Sequence, residues 1–443
     1  MNYTEALQKI AGDAQAMETL FRSAQQSKEE SAFSKAADEL YTNEPHNLLY
    51  AAWHYRFQED ETTAANPLAS LVSNRLVWQT ALILSVINGL LFWLLSDMQK
   101  VVVFSKVPLL LVVWAPIYAI VITAFMVFAG KYPLLRWVML AVGLALAAGY
   151  VTGVTWWYRA DQTDNPVIIL VLIHLPALAL YATGYFVLRD ENSSLARFAA
   201  LNKAIETVIT AGLFLAAGML FTAITFGLFS AIDINPPEWV MRLFAAGGIG
   251  LVPVLAVAAV YHPDRSPQAQ SFSHGLSRLI ALVLRILLPL ALVVAVVYVA
   301  LIPFNFMRPF YNRETLIIYN VMLFAVLGLI IGATPVYETD LPESLRLWLR
   351  RGLLALASLA LLVAVYAMIA VLYRTWSDGF TPNRVAVIGW NLVNIGILGQ
   401  LLYRQWRCQP AAWLATLHET VGNGLNWYVV WTVILMALLP WVF

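Results

Sequence analysis

Two ionisable side chains stand inside long apolar stretches, and they are the first places to look for chemistry. His174 lies in Ile173-His174-Leu175-Pro176, and Arg285 lies about two turns into a later run. A charge in hydrocarbon costs about 2.5–3.5 kcal/mol on insertion scales, so such groups are kept for a reason. His174 is read as a proton or substrate contact, or as a core histidine satisfied where Pro176 frees a backbone carbonyl. Arg285 is able to snorkel to the boundary on its long stem. Glu206 follows Lys203 by three residues, and an i, i+3 pair satisfies both. Asn391, Asn394 and Gln400 sit in one late run, with Asn391 and Asn394 on one face; amides there more often glue helices than bind ligands.

A denser polar set lies between the runs, in four loops expected on one side. Arg159, Asp161 and Asp164 follow Trp156-Trp157-Tyr158; Asp233 and Glu238 flank Pro236-Pro237; Arg308 and Arg313 precede Glu314; and Asp378 leads to Asn383 and Arg384. If these loops converge, Arg159, Asp161, Asp233, Glu238, Arg308, Asp378, Asn383 and Arg384 become the ligand-binding set. They would surround an outward cavity suited to an anionic or sugar-bearing lipid headgroup. The bland alternative is a solvated rim, because loops at a water boundary are polar in any case.

Catalytic signatures are absent from the sequence. There is no His-Glu-x-x-His, no phosphate loop ending in Lys-Ser/Thr and no Gly-x-Ser-x-Gly, so no catalytic residue is assigned. His262 and His274 are twelve apart with no cysteine nearby, and no metal site is expected from them. The single cysteine, Cys408, makes no intrachain disulfide and reads as a packing residue near a helix end. No cofactor is expected.

The surroundings of these residues follow from composition. The chain has 443 residues, 60% hydrophobic and only 12% charged. A water-soluble domain carries about a quarter of its residues charged. The apolar surplus therefore calls for lipid as solvent. The net charge of +1 argues against a nucleic-acid partner.

Apolar runs long enough to cross a bilayer are placed at about 76–96, 107–129, 134–154, 166–188, 204–230, 239–261, 276–303, 315–333, 351–373, 382–403 and 424–443, which is eleven spans. The fold class is thus all-α: a polytopic transmembrane helical bundle over 67–443, with a small acidic helical domain at 1–66. Residues 1–75 hold six Lys/Arg against eleven Asp/Glu, leaving them at −5 and the rest at +6. Within that domain, Leu7, Ile10, Ala14, Met17 and Phe21 predict a first amphipathic helix; Ser27 with Glu30 predicts a capping box for a second; and a third is expected over 48–57. Residues 59–66 read as a linker.

Fourteen Lys/Arg fall on the N-terminal side of the spans and eight on the other, which predicts a cytoplasmic N-terminus and a periplasmic C-terminus in an inner (plasma) membrane. No cleavable leader is visible in the first 25 residues. Leu341 to Arg351 is expected to form a short separate helix lying in the inner interface. Gly149 with Gly153, and Gly328 with Gly332, predict close helix contacts.

The stretch Asp378-Gly379-Phe380-Thr381-Pro382-Asn383-Arg384 opens a late span. It resembles a Tyr-Gly-Leu-Thr-x-Asn-Arg element of a bacterial polytopic membrane family catalogued as DUF4153, with Phe380 and Asp378 departing from the pattern. The likeness covers about the last 150 residues by order of spans and loops. It implies a multi-pass inner-membrane protein and no particular activity. On its own physics, Thr381 caps the helix and Pro382 suits its first position. Arg384 opposes the helix dipole there and needs an anionic partner, either Asp378, another loop carboxylate or a ligand.

Three functions remain open at this level. One is a permease-like or lipid-handling protein with an outward polar cavity. Another is a non-catalytic scaffold or regulator docking a cytoplasmic protein through residues 4–58. The third is a transferase acting on a lipid-linked substrate.

Overall fold

The computed structural model describes residues 3–26, 29–54, 67–103, 107–130, 132–158, 165–188 and 191–443. The fold is 84% helical. The chain divides into two compact units, Met1–Val77 and Trp78–Phe443.

The first unit holds α1 (Tyr3–Lys9), α2 (Ala14–Gln26), α3 (Glu30–Asn43) and a further helical stretch, α4, over 48–54. The first amphipathic helix expected from the sequence is broken at Gly12-Asp13. There the Asp13 carboxylate accepts the backbone N–H groups of Gln15 and Ala16 and starts α2 afresh. Ser27, half of the expected capping box, lies outside the described residues. Phe21, Phe33 and Trp53 interlock with centroids 5.0 to 5.4 Å apart, closing a core completed by Leu7, Met17, Leu40 and Tyr50.

Among the described residues eleven helices are long and apolar enough to cross a membrane, and the chain is a multi-pass helical membrane protein. They are α5 (Pro67–Leu95), α6 (Leu109–Ala129), α7 (Leu134–Trp157), α8 (Pro166–Val187), α9 (Ser194–Ala231), α10 (Glu238–Val260, with a π turn at Leu243–Gly247), α11 (Gly275–Leu301), α12 (Arg313–Ala333), α13 (Glu343–Asp378), α14 (Pro382–Arg407) and α15 (Trp413–Val442). The face where α5 begins is called near, and the face where it ends, far. A core of α13, α14 and α15 packs on α11, α12, α9 and α8, while α6, α7 and α8 form a neighbouring layer.

Four spans start well before hydropathy places them, among them α5, which begins at Pro67. α9 begins where the Ser193 hydroxyl accepts the Ala196 N–H at 3.1 Å, ten residues before the apolar run. α15 likewise begins at Trp413. The separate interfacial helix expected at Leu341–Arg351 does not form; α13 runs unbroken from Glu343. Its apolar face continues in register through Leu349, Leu353, Leu356 and Ala360, all buried in one cluster, so nothing breaks it at the boundary.

Of the four glycines expected at helix contacts, only Gly332 is in one, against Leu284; Gly149, Gly153 and Gly328 face open space. A close backbone approach between two spans lies elsewhere. A Cβ on Gly250 would lie 2.8 Å from the Asn88 carbonyl oxygen, where α5 crosses α10, and Asn88 Nδ2 donates to the Gly250 carbonyl at 2.6 Å.

Candidate functional site

The bundle buries polar side chains at two levels. One turn or two from the near face, Lys203 and Glu206 are only 2% and 3% exposed. Lys203 Nζ donates to Glu206 Oε2 at 2.7 Å, to Ser277 Oγ at 2.9 Å and to the Ser271 carbonyl at 2.6 Å. All three ammonium protons are thereby used. Ser277 Oγ donates in turn to Glu206 Oε2 at 2.6 Å, and the Phe272 ring covers the ammonium at 4.5 Å. The i, i+3 pair expected from the sequence forms, with α11 and its preceding loop completing it.

That loop is itself ordered by Gln270, which bonds both backbone groups of His262. Burial, with Arg265 and Lys203 nearby, pushes the His262 imidazole below its usual pKa. Arg285 Nε donates to the Ala333 carbonyl at 3.2 Å, so it is held at the near end of α12.

The second level lies in mid-bundle, where α8, α12, α14 and α15 meet. His174 Nδ1–H donates to the Leu170 carbonyl at 2.6 Å, and Trp390 Nε1–H donates to His174 Nε2 at 2.8 Å. That assigns a neutral ring with both nitrogens engaged. Trp390 packs between Phe324 and Tyr428, at 5.5 and 5.7 Å. The Tyr428 hydroxyl donates to Asn394 Oδ1 at 2.6 Å, and the Tyr185 hydroxyl donates to Asn426.

Beside this aromatic set the accounts do not close. Asn391 is fully buried, and among the described residues neither its Nδ2 nor its Oδ1 has a hydrogen-bond partner; Asn394 Nδ2 and Asn320 Oδ1 also lack one there. Each such atom costs about 1–3 kcal/mol when left dry. The Trp431 ring packs against Gly389, two residues before Asn391. The sequence marks Asn391 and Asn394 as polar. It does not mark Trp390, Phe324 and Tyr428, whose aromatic types are ordinary for a membrane helix.

The far-face candidates are placed as follows. Arg159 and Asp161 lie outside the described residues. Asp378 and Arg384 come together: Arg384 Nη2 donates to Asp378 Oδ2 at 2.6 Å, and Nη1 donates to the Gly379 carbonyl at 2.6 Å. Gly379 has φ +84°, a left-handed turn that glycine supplies. Thr381 Oγ1 accepts the Arg384 N–H, as its capping role requires, and Asn383 is half-buried in the same first turn.

Glu238 pairs with Arg242 at 3.7 Å, and Arg242 reaches Asp97 at 3.5 Å. Burial pushes the Asp97 carboxyl up, but the Lys100 amide and Arg242 outweigh it and hold the group below the usual carboxylate range. Asp233, exposed, takes a left-handed φ of +56° after α9. Arg308 is exposed beside Arg313 and Glu314, around a shallow open pocket of about 710 Å³ that ends at Ile317. Among the described residues no hydrogen bond or ion pair joins the Glu238, Arg308 and Asp378 loops to one another.

Among the described residues no group of three His, Cys, Asp or Glu side chains is placed to hold a metal ion. In the first unit, a shallow groove of about 820 Å³ runs between α1 and α2, with Glu5, Lys9 and Asp13 on its rim and Ile10 and Leu20 in it.

Compared with protein-family models, with curated proteins and with solved structures, the chain matches none. These comparisons neither support nor oppose the expected likeness to the DUF4153 family.

Proposed function

We propose that the protein is a permease-like carrier whose polar station is the mid-bundle cluster of Asn391, Asn394, Trp390 and Tyr428. The observation that carries this reading is the buried Asn391 amide, to which no protein group among the described residues bonds. A purely structural amide in hydrocarbon acquires partners, because each missing bond costs about 1–3 kcal/mol. Asn391 has four bonding positions and fills none, while aromatic faces stand ready around it. The conformation is then an occluded one, in which a solute supplies the missing bonds during the cycle. His174 serves as the fixed backing for Trp390 and not as a proton carrier, since both its nitrogens are engaged.

The test uses the single native cysteine. In a Cys408→Ser background, Asn391→Cys in proteoliposomes is exposed to a water-soluble methanethiosulfonate and to a lipophilic maleimide. A carrier opens to one side or to the lipid, so one reagent modifies the residue. A thiol inert to both over hours refutes a station there.

The groove on the first unit favours a second reading, in which residues 4–58 dock a cytoplasmic protein. Deleting residues 1–66 should then release a co-purifying partner while the membrane body still elutes as a folded species. A partner retained by the truncated chain would end that reading.

A further inference from the structure

α12 joins the far face to the mid-bundle cluster along one stripe. Arg313, Ile317, Asn320 and Phe324 fall at i, i+4, i+7 and i+11, a single helical face. At its far end lies the Arg308–Arg313 pocket, both guanidiniums exposed. Half-way along stands Asn320, whose Nδ2 donates to the Leu316 carbonyl at 2.8 Å and whose Oδ1 is left over. At its inner end Phe324 is 43% exposed, although its ring packs on Trp390 and Tyr428. Ile317 and Val321 are exposed beside it, at 49% and 65%.

The helix that would cover this stripe does not. Every residue that α9 buries lies between Ala196 and Thr210, and its remaining length to Ala231 buries none. The buried residues of α11 end at Leu288, just before Pro289, and farther along Tyr298 meets α12 through Tyr319, on a different side from the stripe. α9, α11 and α12 are pinned together near one face by Lys203–Ser277 and by Leu284 and Ile205 against Gly332. Toward the other face the side of α12 that leads to Phe324 is left to lipid.

We propose that this stripe is the binding track of an amphiphile with an anionic headgroup, taken sideways from the far leaflet. The proposal rests on the carrier reading above and names its substrate class. The headgroup sits at Arg308 and Arg313, where two cations at a bilayer boundary favour phosphate or carboxylate. One acyl chain lies against Ile317, Val321 and Phe324. Eleven residues of helix separate Arg313 from Phe324, about 16 Å at 1.5 Å each, which is the depth of one leaflet.

Beyond Phe324 the unpartnered groups continue inward. Two of them, Asn391 Nδ2 and Asn394 Nδ2, are N–H donors, the type an anionic head needs once it leaves the arginines. The tail remains in hydrocarbon throughout, so no wide aqueous channel is required and the bundle stays packed.

The experiment is photolabelling of the full chain in bilayers with phosphatidylglycerol carrying a diazirine in one acyl chain, with the modified residues mapped by mass spectrometry. The expected result is label concentrated between Ile317 and Phe324, reduced at least about tenfold in the Arg308→Ala/Arg313→Ala variant. Phosphatidylcholine with the same diazirine should label that stretch weakly. Water-soluble glycerol phosphate should not compete, which distinguishes a lipid from its free headgroup.

Equal labelling by both lipids, or label spread evenly over α9, α11 and α12 and unchanged in the variant, overturns the proposal. Both arginines are exposed, and an unchanged thermal midpoint shows that the variant is folded. The two readings fail separately. Label on α12 with an inert Asn391→Cys leaves a lipid site without a carrier station. A reactive Asn391→Cys without the label leaves a carrier for another solute.

Discussion

The two buried polar levels of this bundle are handled in opposite ways. Near one face, the Lys203 ammonium and the Glu206 carboxylate are as buried as any leucine, yet Ser277, the Ser271 carbonyl and Phe272 surround them completely. In mid-bundle, Asn391 carries no charge and is equally buried, yet nothing bonds to it. The chain thus supplies partners to the group that needs them most, and withholds them where the need is cheaper to leave open. Satisfaction marks a clasp, which holds α9 to α11; its absence is what the proposed carrier reading rests on.

The sharpest way to break this contrast is to unpair the clasp. Lys203→Met leaves the Glu206 carboxylate with Ser277 alone and should cost about 3–5 kcal/mol, whereas Lys203→Met with Glu206→Leu should recover most of it. Urea titration of the purified protein in micelles measures both. A cost under about 1 kcal/mol for the single change would show that the pair does not hold the helices. Next in size, Gly389→Ala places a methyl into the Trp431 ring and should cost about 1–3 kcal/mol as the ring is pushed aside. A blue or red shift in the tryptophan emission should accompany it.

Asn391→Leu is the converse of Lys203→Met. Removing unmet polar atoms should leave stability unchanged or raise it by about 1 kcal/mol, while Asn391-dependent solute handling is lost. A large destabilisation there would reveal a structural amide and erase the difference between the two levels. Arg384→Ala should cost less than about 1 kcal/mol, because its partner Asp378 is 58% exposed and the pair lies at a screened boundary. Full abundance with intact handling would separate Arg384 from the ligand path.

The smallest effect concerns the loop that closes the clasp. His262 is held below its usual 6.5, so the folded state binds its proton more weakly than the unfolded chain. Stability is then complete above that value and falls as pH drops through the lowered pKa. His262→Gln should flatten the fall in thermal midpoint between about pH 7.5 and about pH 5.5 relative to the parent. An identical fall in both would assign the acid sensitivity to other groups.

The spans were legible in the sequence because crossing a bilayer is a property of each segment by itself. Length and apolarity place all eleven to within a few residues at most ends. What segments cannot report is what neighbours bring. The early start of α9 rests on a serine cap, which the Ser193 position does signal. The unbroken start of α13 rests on Leu349 and Leu353 being covered by other helices, which no local pattern signals. The same limit applies to the site. Asn391 and Asn394 are visible as polar residues on one face, and in most bundles they would be bonded across an interface. Asn394 is bonded in that way, by the Tyr428 hydroxyl of α15, and Asn391 is not, because α15 presents aromatic side chains there instead of a second polar partner. The Lys203–Glu206 pair was readable because its partners are three residues apart. The outer loops were readable only as polar, and among their pairings Asp378–Arg384 and the i, i+4 pair Glu238–Arg242 are ones that local spacing also suggests.

The length of α9 has a consequence of its own. Thirty-eight residues make a rod of about 57 Å, nearly twice a typical hydrocarbon slab, and its second half has no protein neighbour sharing the load over most of its girth. Such a rod answers to the thickness of the membrane around it, leaning over in thin bilayers and standing up in thick ones. Because its first half is riveted to α11 and α12, acyl-chain length becomes a mechanical input to the bundle.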